Sequence, residues 1–189
     1  MDDRVRRLDG APIDLVERLR RGDERAFDWV FDHYRPRLFG FLARLSGHRA
    51  LAEDLLQETF LRLARHAPNL APDTRLDAWL FTVARNLYAS HRRWALLDIE
   101  RLSEIRLWSM LAPPPPSPLA QAASEEELGA LENALARLPL AHREILLLVG
   151  IEGMTPAEAA TVLGLSNDAA RQRLSRARAM LRELLEEQS

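Results

Sequence analysis

Arg171, Arg173, Arg176, Arg178 and Arg182 crowd a stretch between Asp168 and Glu183 that holds no acidic residue. The chemistry they offer is recognition. A guanidinium donates to phosphate oxygens, and two of its N–H groups match O6 and N7 of guanine in the major groove. Gln172 and Ser175 add groups that suit base edges. The net charge of the chain is −2 at pH 7, so a concentrated positive stretch calls for an anionic partner, nucleic acid first. The plainer reading is a solvated basic face on a terminal helix.

The elements around these arginines favour the first reading. Thr155 followed by Pro156 is a helix start, a capping hydroxyl and then proline at the first helical position. Gly164 ends that helix, because glycine adopts left-handed backbone at little cost. Ser166 caps the next. Two helices joined by a tight turn are the sequence form of a helix-turn-helix. In the second helix Ala170, Leu174, Ala177, Leu181 and Leu184 recur at spacings of three and four and should face the core. Arg171, Gln172, Ser175, Arg176 and Arg178 then project outward.

Two further constellations lie upstream. In AEDLLQETFLRL, Asp54, Gln57, Glu58 and Leu61 share one helix face, opposite a core stripe of Leu51, Leu55, Leu56, Phe60 and Leu63. Spacing alone leaves two readings open, a solvated acidic face or a docking surface for a basic partner. The segment LDAWLFTVARNLYASHRRW has no acid between Asp77 and Asp98 and carries Arg85, Asn86, Tyr88, His91, Arg92 and Arg93. Basic side chains interleaved with Tyr88 and Trp94 suit phosphate contact with base stacking. The bland alternative puts Trp79, Phe81 and Trp94 in the core.

Composition bounds the rest. The chain has no cysteine, which excludes disulfides and thiolate metal sites, and every basic charge other than histidine is an arginine. No phosphate loop or metal-ligand spacing is present, so neither a metal nor another cofactor is expected. The longest apolar run, near Ile145 to Ile151, is too short to span a bilayer, and MDDRVRRLDG lacks the apolar core of a signal peptide. A cytoplasmic protein without membrane insertion is the expectation. PPPPSP at Pro113 to Pro118 favours extended polyproline. The expected fold class is all-α. Two small helical domains, residues 12–96 and 123–187, flank a Pro-rich linker over residues 97–122, and the C-terminal domain contains the helix-turn-helix. Within the first, Asp23 should cap a helix through Ala26, Phe27, Val30 and Phe31, and Pro36 should kink or interrupt it. A helix over residues 49–66 follows, then a loop at APNLAPDT, then a helix from Asp73 or Thr74 to about Trp94.

With these motifs in place, the chain resembles bacterial RNA polymerase sigma factors of the extracytoplasmic-function (ECF) class. GDERAF at Gly22 to Phe27, AEDLLQETFLRL at Ala52 to Leu63 and DAWLFTVARN at Asp77 to Asn86 look like their N-terminal module. ARLPLAHREILLL followed by the helix-turn-helix looks like their C-terminal module. The resemblance implies a non-enzymatic subunit that binds core RNA polymerase and directs promoter recognition, melting and initiation. It implies that Asp54, Gln57, Glu58 and Leu61 dock on core polymerase. Asn69, Asp73, Thr74, Arg75, Asn86, Tyr88, Arg92 and Arg93 would engage the minus-ten element, where the family captures a flipped non-template base. Arg171, Gln172, Ser175, Arg176 and Arg178 would read the minus-thirty-five element. The implied partners are core polymerase, promoter DNA and an anti-sigma factor. Two departures bear on promoter preference: Ser90 stands where many relatives have aspartate, and Asp168, Ala169 and Ala170 replace a usual Gly-Thr-Val opening.

Two readings from other classes compete. One is a stand-alone helix-turn-helix repressor with an N-terminal dimerisation or ligand domain. The other is a hydrolase using Asp28, Asp32 and His33.

Overall fold

The computed structural model describes residues 14–99 and 125–187. The PPPPSP segment and the rest of the linker from residue 100 lie outside the described residues. Every regular element described is helical. The first region contains α1 (Leu15–Arg20), α2 (Glu24–Ser46), α3 (Arg49–His66) and α4 (Leu76–Ile99). A single 3-10 turn, Ala67–Asn69, follows α3. The second region contains α5 (Glu125–Arg137), α6 (Leu140–Leu146), α7 (Pro156–Leu163) and α8 (Asn167–Glu186).

Local chemistry sets most boundaries. Asp23 caps α2, its carboxylate accepting from Arg25 N at 2.9 Å and Ala26 N at 3.4 Å. The same carboxylate accepts from Arg18 Nε at 2.7 Å, tying α1 to the start of α2. These bonds, the Arg18 bond foremost, hold the Asp23 carboxyl below its ordinary range. Gly47, at φ 66°, closes α2.

Pro36 does not interrupt α2, which runs unbroken to Ser46. Proline removes one ladder hydrogen bond. Tyr34, Leu38, Phe41 and Leu42 bury one continuous face on both sides of it and hold the helix together. α4 begins at Leu76 rather than at Asp73 or Thr74, and it extends past Trp94 to Ile99, into the segment expected to be linker. Residues 71–74 instead form a turn closed by Thr74 N donating to Ala71 O at 2.9 Å. α6 ends at Leu146 and widens into a π turn, Leu147–Ile151. Glu152 N reaches back to Leu147 O at 3.0 Å across five residues, and Gly153, at φ 68°, turns the chain away.

α2 packs against α3 and α4, with Phe41 set edge-on to Phe81 at 5.2 Å. In the second region α5, α6 and α7 pack on α8. α4 also packs on α7, and α2 on α5 and α6, so the two regions share one continuous hydrophobic core.

Candidate polymerase and nucleic-acid interfaces

The helix-turn-helix is built as its residues dictate. Thr155 Oγ1 accepts from Glu158 N at 3.3 Å, and the Glu158 carboxylate accepts from Thr155 N at 2.6 Å, a reciprocal capping box. Gly164, at φ 65°, ends α7, and Leu165 N returns to Ala160 O at 2.9 Å. Ser166 Oγ then accepts from Ala169 N at 3.2 Å and starts α8. Ala159, Ala160, Val162 and Leu163 of α7 are buried with Ala170, Leu174 and Ala177 of α8. Removing the cap in Thr155→Ala should lower stability by ~1 kcal/mol, read as a shift of the urea midpoint at unchanged slope.

With that stripe buried, Arg171, Gln172, Ser175, Arg176 and Arg178 all lie exposed on α8. None of these three arginines has a carboxylate partner among the described residues. Their donors therefore point at solvent, available to an anionic ligand.

On α3 the expected face also forms. Asp54 and Gln57 are exposed, Glu58 is half-buried and Leu61 is 50 % exposed. Glu58 accepts from Arg62 Nε at 2.9 Å. Leu55, Leu56, Phe60 and Leu63 are buried on the other side, and Leu51 is partly buried against them.

The set around α4 divides. Asn69 and Asp73 are exposed, and Thr74 is half-buried, in the segment leading to α4. Arg75 is exposed and bonds to Glu158, with Asp77 a second partner at 3.4 Å. Asn86 is exposed, its Oδ1 accepting from Arg85 Nη1 at 3.3 Å. His91, Arg92 and Arg93 are exposed, and Trp94 stands 68 % exposed beside them rather than in the core. Trp79 is partly buried, and Phe81 is fully buried.

Tyr88 does not join this surface. It is only 7 % exposed, and its hydroxyl donates to Leu45 O at 2.8 Å. Burial pushes its phenol pKa up. Its ring packs against the C-terminal end of α2, whereas Arg92, one turn further along the same face, and Arg93 lie exposed. Tyr88→Phe should therefore lower stability by ~0.5–1.5 kcal/mol in urea denaturation, whereas a tyrosine standing in solvent for base stacking would lose nothing.

A set of charged residues emerges that the sequence motifs did not single out. Arg37, Arg44, Glu132, Arg143, Glu144 and Glu152 lie between the two regions. The visible signal was weak: Glu144 stands beside the apolar run LLLV, where a lone acid needs a partner. Among the described residues no cluster of His, Asp or Glu has metal-binding form, and no helix is long and apolar enough to cross a membrane.

Fold and site thus define a two-module helical protein with a helix-turn-helix bearing an open basic face. The comparisons agree. Residues 30–95 match Sigma-70 region 2, and residues 128–181 match Sigma-70, region 4. The chain is 38 % identical over 176 residues to RNA polymerase sigma factor CarQ of Myxococcus xanthus, covering 91 % of this chain and 96 % of CarQ. It is 32 % identical to RNA polymerase sigma factor CnrH of Cupriavidus metallidurans, covering 93 % and 94 %. A solved structure of CnrH in complex with the cytosolic domain of CnrY superposes with a TM-score of 0.68 at 27 % identity, covering 93 % of this chain and 97 % of that one. Sigma factor RpoE in complex with the anti-sigma factor NepR from Bartonella quintana superposes at 0.74 and 30 % identity, covering 85 % and 96 %.

The chain belongs to the ECF class of RNA polymerase sigma factors. It binds core RNA polymerase, directs promoter recognition and initiation, and is not an enzyme. That sets aside both the stand-alone repressor and the hydrolase. His33 of the supposed hydrolase centre stacks on Trp29 at 4.7 Å, and burial lowers its pKa.

Proposed function

We propose that this sigma factor grips its promoter at two points while seated on core polymerase. An N-terminal module over residues 12–96 docks through Asp54, Gln57, Glu58 and Leu61 and engages the minus-ten strand. Asn69, Asp73, Thr74, Arg75, Asn86, Arg92 and Arg93 make that engagement, with Trp94 as an exposed stacking surface. A module over residues 123–187 reads the minus-thirty-five element in the major groove through Arg171, Gln172, Ser175, Arg176 and Arg178. Residues 97–122 join them. Melting follows from capture of an unstacked base, which costs a few kcal/mol that binding must offset.

The observation that carries this reading is the arginine face of α8, held outward by a buried alanine and leucine stripe and matched by no carboxylate among the described residues. Net charge supports the division of labour. A chain at −2 binds DNA weakly by itself, since affinity follows the number of phosphates neutralised. Two short basic faces gain strength when a scaffold holds both at fixed spacing, and core polymerase is that scaffold. CnrH is bound by CnrY, and RpoE by the anti-sigma factor NepR, which supports an anti-sigma partner for this chain as well. The site of action is the cytoplasm, with the polymerase.

Footprinting on promoter DNA with and without core enzyme tests the reading. Protection of two separated elements, dependent on core, is expected. Protection of one palindrome by the chain alone, or no run-off transcript with core, would overturn it.

A further inference from the structure

Asp168 carries a charge of the wrong sign for a helix that meets a polyanion. With Arg171, Gln172 and Ser175 it occupies positions i, i+3, i+4 and i+7, one face of α8, and all four residues are exposed. The helix does not need it as a cap, because Ser166 Oγ already accepts from Ala169 N at 3.2 Å. Nor is its charge neutralised within the chain. The i, i+3 spacing to Arg171 would allow an ion pair, as Glu17 and Arg20 form on α1 at 2.9 Å. Among the described residues Asp168 nevertheless pairs with no arginine. A bare carboxylate and a bare guanidinium thus stand one turn apart, at the leading end of the face assigned above to the upstream element.

Against DNA such a carboxylate has few places to go. An ionised carboxylate only accepts hydrogen bonds, so phosphate oxygens repel it. In the major groove guanine shows O6 and N7 and thymine shows O4, acceptors that repel it as well. Adenine offers its N6 amino group but sets the N7 acceptor beside it. Cytosine offers its N4 amino group with no acceptor of its own alongside. The N-terminal residues of a recognition helix are the ones that reach base edges. Three residues advance α8 by about 4.5 Å along its axis, against roughly 3.4 Å between base pairs. Asp168 and Arg171 therefore address the same base pair or adjacent ones. A guanidinium for guanine and a carboxylate for cytosine are complementary to the two halves of a G·C pair.

We propose that Asp168 is a specificity-determining residue, its carboxylate accepting from N4 of a cytosine in the upstream element, at or next to the base pair whose guanine Arg171 reads. It acts by exclusion as much as by attraction. Guanine or thymine at that place sets acceptor against acceptor, and a helix displaced from the site brings the carboxylate toward phosphate. The arginines of α8 supply affinity for any duplex, and Asp168 gives up part of it for discrimination. The inference rests on the assignment of α8 to the minus-thirty-five element.

The test uses the full chain assembled with core polymerase. Holoenzyme selects binders from a pool of duplexes randomised across both promoter elements, and the enriched sequences are read. The parent should enrich cytosine at one position of the upstream element. It should bind single duplexes carrying guanine or thymine there about tenfold more weakly. Asp168→Ala should lose the enrichment at that position alone and bind those duplexes alike. Asp168→Asn should move the preference to adenine, because a carboxamide accepts from N6 and donates to N7. Both variants should keep the parent's circular dichroism, since the position is exposed and Ser166 still caps the helix. A carboxylate that only complements the positive end of α8 would shift the urea midpoint in both variants and leave every base preference in place. That result overturns the inference. Loss of preference spread over the whole element also overturns it, because that marks a displaced helix. A parent pool without any upstream element would instead remove α8 from the promoter, a failure of the underlying reading. An upstream element indifferent to Asp168 leaves that reading standing and overturns the inference alone.

Discussion

Glu58→Arg is expected to weaken the complex with core polymerase by ~2–3 kcal/mol, a loss of tens to about a hundredfold in affinity. Glu58 sits half-buried on α3 among exposed Asp54, Gln57 and Leu61. A basic partner surface would meet the new guanidinium as a like charge, which is costlier than losing the carboxylate alone. Inside the chain the cost is small: the ion pair with Arg62 becomes a like-charge pair at i and i+4, about 0.2–0.5 kcal/mol on an exposed helix. Titration of labelled chain with core enzyme measures the effect, and Glu24→Arg, an equal charge change at the start of α2, is the control. Equal affinity for parent and Glu58→Arg would remove α3 from the docking surface.

Arg176→Ala is expected to cost ~1–3 kcal/mol in upstream-element recognition if the guanidinium makes a bidentate base contact, and Arg171→Ala likewise. Both side chains are exposed and hold no carboxylate of the described chain, so truncation should leave the helix-turn-helix packing intact. The measurement is holoenzyme affinity for duplexes varied one base pair at a time. A base reader relaxes preference at one position. A phosphate contact weakens every duplex alike and reduces the salt slope by about 1. An unchanged affinity on all duplexes would place these arginines outside the interface. The Asp168, Ala169 and Ala170 opening of α8 makes the outcome informative, because Asp168 brings a negative charge to the end of the helix nearest these arginines.

The sequence by itself determined the parts that neighbouring residues control. Asp23, Thr155 and Ser166 cap helices because their side-chain oxygens reach amides two or three residues on. Gly164 ends α7 because only its own backbone has to turn. The outward face of α8 and the outward face of α3 follow from helical period, since a buried stripe fixes the opposite side. These local rules also carried the family resemblance. The tertiary structure alone decided what depends on residues distant in the chain. Pro36 stays inside α2 because burial on both sides outweighs one missing bond. Tyr88 turns inward because Leu45 O, 43 positions away, accepts its hydroxyl. The basic set around α4 thereby splits into a packing residue and exposed arginines. The pairing of Arg37, Arg44, Arg75 and Arg85 with glutamates of the other module was beyond any reading of motifs. A salt bridge across 83 positions leaves no periodicity in the sequence, and only the packing of α4 on α7 brings Arg75 to Glu158.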